Sequence, residues 1–217
     1  MSESHKIVVL ISGRGSNFKA IYETAVKENW KDRYGIEFAA VISNRPDAAG
    51  LGFAKENNIP THVVDHKEYK TREDFEKELI AVCNLYRPEL VVLAGFMRVL
   101  TPLFVDQFPG KILNIHPALL PMFPGLHTHE RALEAGVRIH GVTVHFVSSV
   151  LDGGAIIGQA AVPVLAGDDP DTLAARVLKK EHILYPRVVR LVASGKVRLE
   201  NGVALMDRET SEELAIL

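Results

Sequence analysis

The sequence predicts an α/β protein: a doubly wound, mostly parallel sheet with helices on both faces and an antiparallel C-terminal portion. Three observations predict it. Apolar runs of strand length alternate with helix-period segments from the start of the chain. The strand-like runs, such as "KIVVLIS" and "LVVLAGF", are continuously apolar rather than alternating, the pattern of parallel strands covered on both faces. Past residue 140, two strand-like runs follow each other across only "SSVLDGG", a turn-forming stretch that calls for antiparallel pairing.

The elements follow in order. "KIVVLIS" (6–12) is the first strand, followed by a helix from Asn17 to about Asn29, the strand "EFAAVIS" (37–43) and a helix from about Pro46 to Asn57. "THVVD" (61–65) is a short strand, "TREDFEKELIAVCNLY" (71–86) a capped amphipathic helix and "LVVLAGF" (90–96) another buried strand. The helices supply right-handed crossovers, which makes the first half Rossmann-like. "KILNIH" ends at a proline-rich stretch, and "GVTVHFV" (141–147) and "AIIGQAAVPV" (155–164) form the antiparallel pair. A long helix runs from about Pro170 to Ala193, and the Asn-Gly pair in "GKVRLENGVALMD" marks a tight hairpin. No repeat, low-complexity segment or linker interrupts this, so the expectation is a single domain over 1–217 with a peripheral tail at about 208–217.

Composition narrows the function. The chain has 217 residues, 47% of them hydrophobic, and a formal net charge of -2. It lacks the basic footprint of a nucleic-acid binder, which leaves small ligands as the expected partners. The apolar run in "MSESHKIVVLISG" is too short for a signal peptide or a membrane span, so a cytoplasmic location and no membrane partner are the defaults. Cys83, the one cysteine, sits in a helical pattern and is expected to pack as a small apolar side chain.

Five places are candidates for chemistry. After the first strand, "ISGRGSNFKAI" sets Gly13 and Gly15 around Arg14, so that backbone amides can face a phosphate while Ser16 or Asn17 caps the following helix. Position 18 is Phe where a dinucleotide fingerprint has its third glycine, and no Gly-Lys-Ser/Thr follows, so neither NAD nor ATP is suggested. In "ILNIHPALLPMFPG", Asn114 and His116 stand two apart, on the same side of an extended strand, where three prolines and a glycine end it. An amide can hold a carbonyl oxygen, and an imidazolium can stabilise the negative charge that develops there under attack. Asp152, followed by two glycines, is the carboxylate that could hold that imidazolium; a simple Asp-Gly turn is the plain alternative. His127 and His129, with His140 and His145 beyond, have no specific metal spacing, and no metal is expected. Lys179, Lys180 and Glu181 form either a solvated helix face or a contact to a polar substrate.

Taken together, Gly13-Arg14-Gly15-Ser16-Asn17, "VVLAGFMRVL", "ILNIHPALLP" and "LDGGAIIGQ", in this order and spacing, resemble the formyltetrahydrofolate-dependent formyltransferases from about Lys6 to Gly195. Among them the chain is most similar to those acting on 5-phosphoribosylglycinamide in purine synthesis. The resemblance implies a catalytic trio of Asn114, His116 and Asp152, with His116 as general acid. It implies that Gly15, Ser16 and Asn17 hold the substrate phosphate, with Leu178, Lys179, Lys180 and Glu181 contacting the same substrate. Arg72, Met97, Arg98, Val99, Leu100 and the loop of Ser148, Ser149, Val150, Leu151 and Asp152, together with Asn114, would line the pocket for 10-formyltetrahydrofolate, the co-substrate. The phosphate-binding half would then span about 1–100 and the folate-binding and catalytic half about 101–200, in a monomer or homodimer. A formylfolate hydrolase, expected to carry a further N-terminal domain, and a non-catalytic phosphoribosyl-binding module are the alternatives.

Overall fold

Strand β1 (His5–Ile11) can run through the middle of a sheet because both its faces are apolar. Ile7, Val9 and Ile11 point into one core and Val8 and Leu10 into the other, all fully buried. The computed structural model describes residues 4–215; residues 1–3, the polar front of the chain, and 216–217, the end of the expected tail, lie outside them.

Helices α1 (Ser16–Lys27) and α2 (Trp30–Tyr34) lead to β2 (Ile36–Ser43), and α3 (Gly50–Glu56) leads to the short β3 (Thr61–Val63). Helix α4 (Arg72–Leu85) crosses to β4 (Leu90–Leu93), and α5 (Pro102–Val105) precedes β5 (Ile112–His116). After α6 (Thr128–Glu134) come β6 (Ile139–Phe146), β7 (Ile156–Pro163), the long α7 (Pro170–Ala193), the hairpin β8 (Arg198–Glu200) and β9 (Val203–Leu205), and α8 (Arg208–Leu214). The main sheet has seven strands in the order β3-β2-β1-β4-β5-β6-β7. β1 to β5 are parallel, and β6 pairs antiparallel with both β5 and β7. The predicted doubly wound sheet with an antiparallel C-terminal portion is therefore the observed fold.

The two cores sit on opposite faces. Phe18 and Ile21 of α1, Leu51 and Ala54 of α3, and Leu184, Tyr185 and Val188 of α7 cover the Ile7 face. Phe75, Leu79 and Cys83 of α4, with Phe104 of α5, cover the Val8 face. Burial pushes the Cys83 thiol up to about 12, so it packs as a small apolar side chain and is no nucleophile.

Several boundaries differ from expectation. The helix expected from Pro46 begins at Gly50, because residues 46–49 form a turn that carries Gly50 to the first loop. β4 stops at Leu93, since Gly95 takes a left-handed φ of 75° that turns the chain out of the sheet. Helices α2 and α5 were not expected; each is at most five residues long, too short to show a helical period. The expected tail carries α8, whose first turn is capped by Asp207 accepting from the Thr210 amide at 2.8 Å, and whose Leu214 is buried in the Ile7-side core.

Helix α7 locks the sheet at the end where the loops gather. The Tyr185 hydroxyl, fully buried, donates to the carbonyls of Leu93 at 2.8 Å and Leu113 at 3.2 Å, bridging β4 and β5. Tyr185→Phe removes that donor and is expected to destabilise the fold by about 1–2 kcal/mol. Urea denaturation checks this, and an unchanged midpoint would show that the hydroxyl contributes nothing.

Candidate functional site

The chain lays β2 and β3 on one side of β1 and then returns to lay β4 on the other. Such a reversal opens a crevice beyond the carboxyl ends of the two middle strands. The loop after β1 and the loop after β4 flank it.

The first loop is shaped by close backbone approach. Gly15 takes a left-handed φ of 69°, and a Cβ there would lie 3.1 Å from the Cα of Gly50. A Cβ on Gly50 would meet the Ile11 side chain at 2.7 Å, and the Gly50 amide donates to the Gly13 carbonyl at 3.1 Å. Gly15 is itself the N-cap of α1, and no side chain caps the helix. This corrects the expected capping by Ser16 or Asn17. Ser16 is the first helical residue, and the Asn17 amide instead donates to Glu181 Oε2 at 2.7 Å. The first amides of α1 thus stay available to an anion. Burial pushes the Glu181 carboxyl above its ordinary range, and the Asn17 bond opposes that shift. Of its neighbours on α7, Leu178 and Lys179 are exposed and Lys180 is half-buried.

A cleft of about 480 Å³ runs from this loop to Met97 and Arg98. Its far wall is Asn44, Arg45 and His66, from the ends of β2 and β3. The Ser12 hydroxyl donates to Asn44 Oδ1 at 2.6 Å and accepts from the Met97 amide at 2.7 Å, joining the two loops across the crevice.

His116 and Asp152 meet outside the lining of this cleft. His116 Nδ1 lies 3.4 Å from Asp152 Oδ2, with both side chains buried. The opposite nitrogen, Nε2, donates to the Phe123 carbonyl at 2.8 Å, and the Gly125 amide donates to Asp152 Oδ2 at 2.8 Å. Both ring nitrogens face acceptors, an arrangement that a doubly protonated ring satisfies. The proline-rich stretch therefore folds back so that its own backbone completes the pair. Thr143 and Gln159, on β6 and β7, pin it from beneath: the Thr143 hydroxyl donates to the Ala118 carbonyl at 2.7 Å, and the Gln159 amide donates to the Leu120 carbonyl at 2.9 Å. Asp152 has a left-handed φ of 50°, and a Cβ on Gly154 would overlap the Phe146 carbonyl oxygen at 1.7 Å. Only glycine permits that turn.

Asn114 lies two residues before His116 on β5 and is paired in register with His145 of β6. His145 Nδ1 donates to the Phe146 carbonyl at 2.9 Å, which leaves Nε2 to accept from the Asn114 amide at 3.3 Å. Burial holds His145 below its ordinary value, consistent with this neutral tautomer. Of the positions expected to line a folate pocket, Met97, Val99, Val150 and Leu151 are all more than half exposed. Arg72, first residue of α4, is exposed, as is Ser149, and Ser148 accepts from the Val150 amide at 3.2 Å. The Leu100 side chain packs in the Val8-side core. Among the described residues, no group of three or more His, Cys, Asp or Glu could hold a metal ion.

The family model described as formyl transferase matches residues 5–189. The chain belongs to the formyl transferase family. It is 47% identical over 201 residues to the phosphoribosylglycinamide formyltransferase of Escherichia coli K12, covering 93% of each chain. It is also 47% identical over 198 residues to the human trifunctional purine biosynthetic protein adenosine-3, covering 91% of this chain but 19% of that one. The solved phosphoribosylglycinamide formyltransferase of Coxiella burnetii superposes with a TM-score of 0.87 at 47% identity, covering 94% of each chain.

In this formyl transferase several site groups had no local signal in sequence. Asn44 and His66 lie just past β2 and β3, and Gly50 sits inside a helix; the strand end at "VISNRP" was the one available cue. His129 and His140 form a pair below the proline-rich loop, His129 Nδ1 to His140 Nε2 at 3.2 Å, with the Phe123 ring edge-on to His140. Burial, aided by the charges of His129 and His116, pulls His140 down to about 4 from 6.5. A histidine held low when folded takes up its proton in the unfolded chain first. Its stability contribution is therefore intact above pH 6.5 and is lost as pH falls from 6.5 toward about 4. His140→Leu is expected to flatten the stability-pH curve across that window, as measured by denaturant titration at stepped pH. A curve as steep as that of the parent would refute it.

Proposed function

We propose that this chain transfers the formyl group of 10-formyltetrahydrofolate to the amine of 5-phosphoribosylglycinamide in purine synthesis, the activity named for its bacterial relatives. The observation that carries the reading is the buried His116–Asp152 pair, its remaining contacts satisfied by the backbone of the proline-rich loop. Asn114, His116 and Asp152 act as the catalytic trio. The substrate phosphate sits on the free amides after Gly15, with Ser16 and Asn17. Glu181 and its neighbours from Leu178 to Lys180 contact the same molecule. Folate lies against Arg72, Met97–Leu100 and the Ser148–Asp152 loop.

In the reaction the amine nitrogen forms a bond to the formyl carbon, producing a tetrahedral species with a negative oxygen and a positive nitrogen. Asp152 retains the proton on His116 Nδ1. The proton on Nε2, parked on the Phe123 carbonyl, is offered to the oxygen, and the Asn114 amide supports it. The carbon–nitrogen bond to the folate then breaks, and the proton lost by the amine moves to the departing folate nitrogen. The chain would do this as a single domain over 1–217, its phosphate-binding half about 1–100 and its folate-binding and catalytic half about 101–200. We place it in the cytoplasm, as a monomer or homodimer without nucleic-acid partners.

His116→Ala and Asp152→Asn are each expected to lower turnover by about a hundredfold or more while the fold survives. Steady-state kinetics with circular dichroism checks this, and near-normal turnover in either would reject the roles. Incubating the protein with formylfolate with and without the ribonucleotide tests the reaction itself. Deformylation only in its presence supports transfer, whereas equal rates indicate a hydrolase.

A further inference from the structure

Residues 95–100, between β4 and α5, are tied down at both ends. At the near end the Ser12 amide donates to the Gly95 carbonyl at 3.1 Å, and the Met97 amide donates to the Ser12 hydroxyl at 2.7 Å. At the far end the anchor is Glu76 of α4, a carboxylate with no solvent exposure. Both its oxygens go to one residue: Oε1 accepts the Thr101 amide at 2.7 Å, and Oε2 accepts the Thr101 hydroxyl in a short contact. The same hydroxyl accepts from the Leu103 amide at 3.2 Å, starting α5. Between the anchors Met97 and Val99 stand exposed while Leu100 turns into the core.

A fully buried carboxylate is unfavourable unless its hydrogen bonds compensate, and a well-packed apolar pair would hold α4 to α5 equally well. What the carboxylate adds is a fixed geometry. Glu76 lies four residues after Arg72 on α4, hence on the same helical face one turn along. We propose, on the reading of Arg72 and Met97–Leu100 as folate-binding, that Glu76 is a positioning residue for the reaction. It sets the spacing between the Arg72 turn of α4 and the Met97–Val99 wall, so that two segments distant in sequence close on one folate. It touches neither substrate.

Glu76→Gln keeps the acceptor for the Thr101 amide but presents an NH₂ group to the hydroxyl, and Thr101→Val removes the hydroxyl from the other side. In the full chain, each is expected to raise KM for formylfolate about tenfold, with kcat and KM for the ribonucleotide changing by less than about twofold. Thermal unfolding confirms that the variants are folded, and Thr101→Val carries the test if Glu76→Gln does not fold. Val99→Ser serves as the control for the folate wall. If Val99→Ser raises KM for formylfolate and the Glu76 and Thr101 variants shift only the unfolding midpoint, Glu76 is a purely structural cap and the proposal falls, with the folate wall intact. If Val99→Ser also leaves KM for formylfolate unmoved, the folate wall itself is wrong and the proposal falls with it.

Discussion

A carboxylate and an imidazole buried together 3.4 Å apart organise this end of the molecule. Two such groups taken out of water repay their lost hydration only when their remaining hydrogen-bonding positions are filled. The Phe123 carbonyl and the Gly125 amide fill them, which explains the proline-rich loop behind His116. The direction of β6 makes the pairing harder to reach. β6 runs antiparallel to β5 with Phe146 opposite Leu113 and Thr143 opposite His116, so it delivers the chain to the wrong end of β5. Returning to His116 takes three residue steps, about 10 Å. The Asp152 loop covers that distance through the turn in which the Gly153 amide bonds to the Val150 carbonyl at 3.1 Å, and through the close pass of Gly154 over Phe146.

Helix α7 couples this arrangement to the rest of the crevice. Glu181 and Tyr185 are four residues apart and share a face of the helix. Glu181 is bonded to the first turn of α1, and Tyr185 to the carbonyls of Leu93 and Leu113. One helix thus fixes the loop after β1 relative to the ends of β4 and β5. The capping of α7 by Asp169 and Thr172, which accept each other's amides at 2.8 and 2.9 Å, sets where that helix begins.

The sheet was legible in sequence because its strands are buried on both sides and read as unbroken apolar runs. α7 was legible to its ends, with Pro170 just inside the start and Gly195 just past the finish. The short helices α2 and α5 were not, being packing responses of connecting segments. The individual chemical groups at 114, 116 and 152 stood out because polar residues interrupt apolar strands or precede paired glycines. Their meeting did not, since it depends on register and on backbone groups such as the Phe123 carbonyl, which leave no trace in residue identity. Ser16 and Asn17 illustrate the same limit: their side chains suit a cap, but the approach of Gly50 placed Gly15 there and left Asn17 to a carboxylate 164 residues away.

The loop after β1 is shaped almost wholly by main chain: a left-handed Gly15, the passing backbone of Gly50, and uncapped amides at the head of α1. Amides presented in that way cannot be removed by changing a side chain. Tolerance is therefore uneven along the loop. It is low at the left-handed Gly15, where a methyl group would also crowd Gly50, and higher at Gly50, where it would press on the movable end of the Ile11 side chain. It is wide at Arg14, whose exposed side chain can drift through substitutions while the loop keeps its outline.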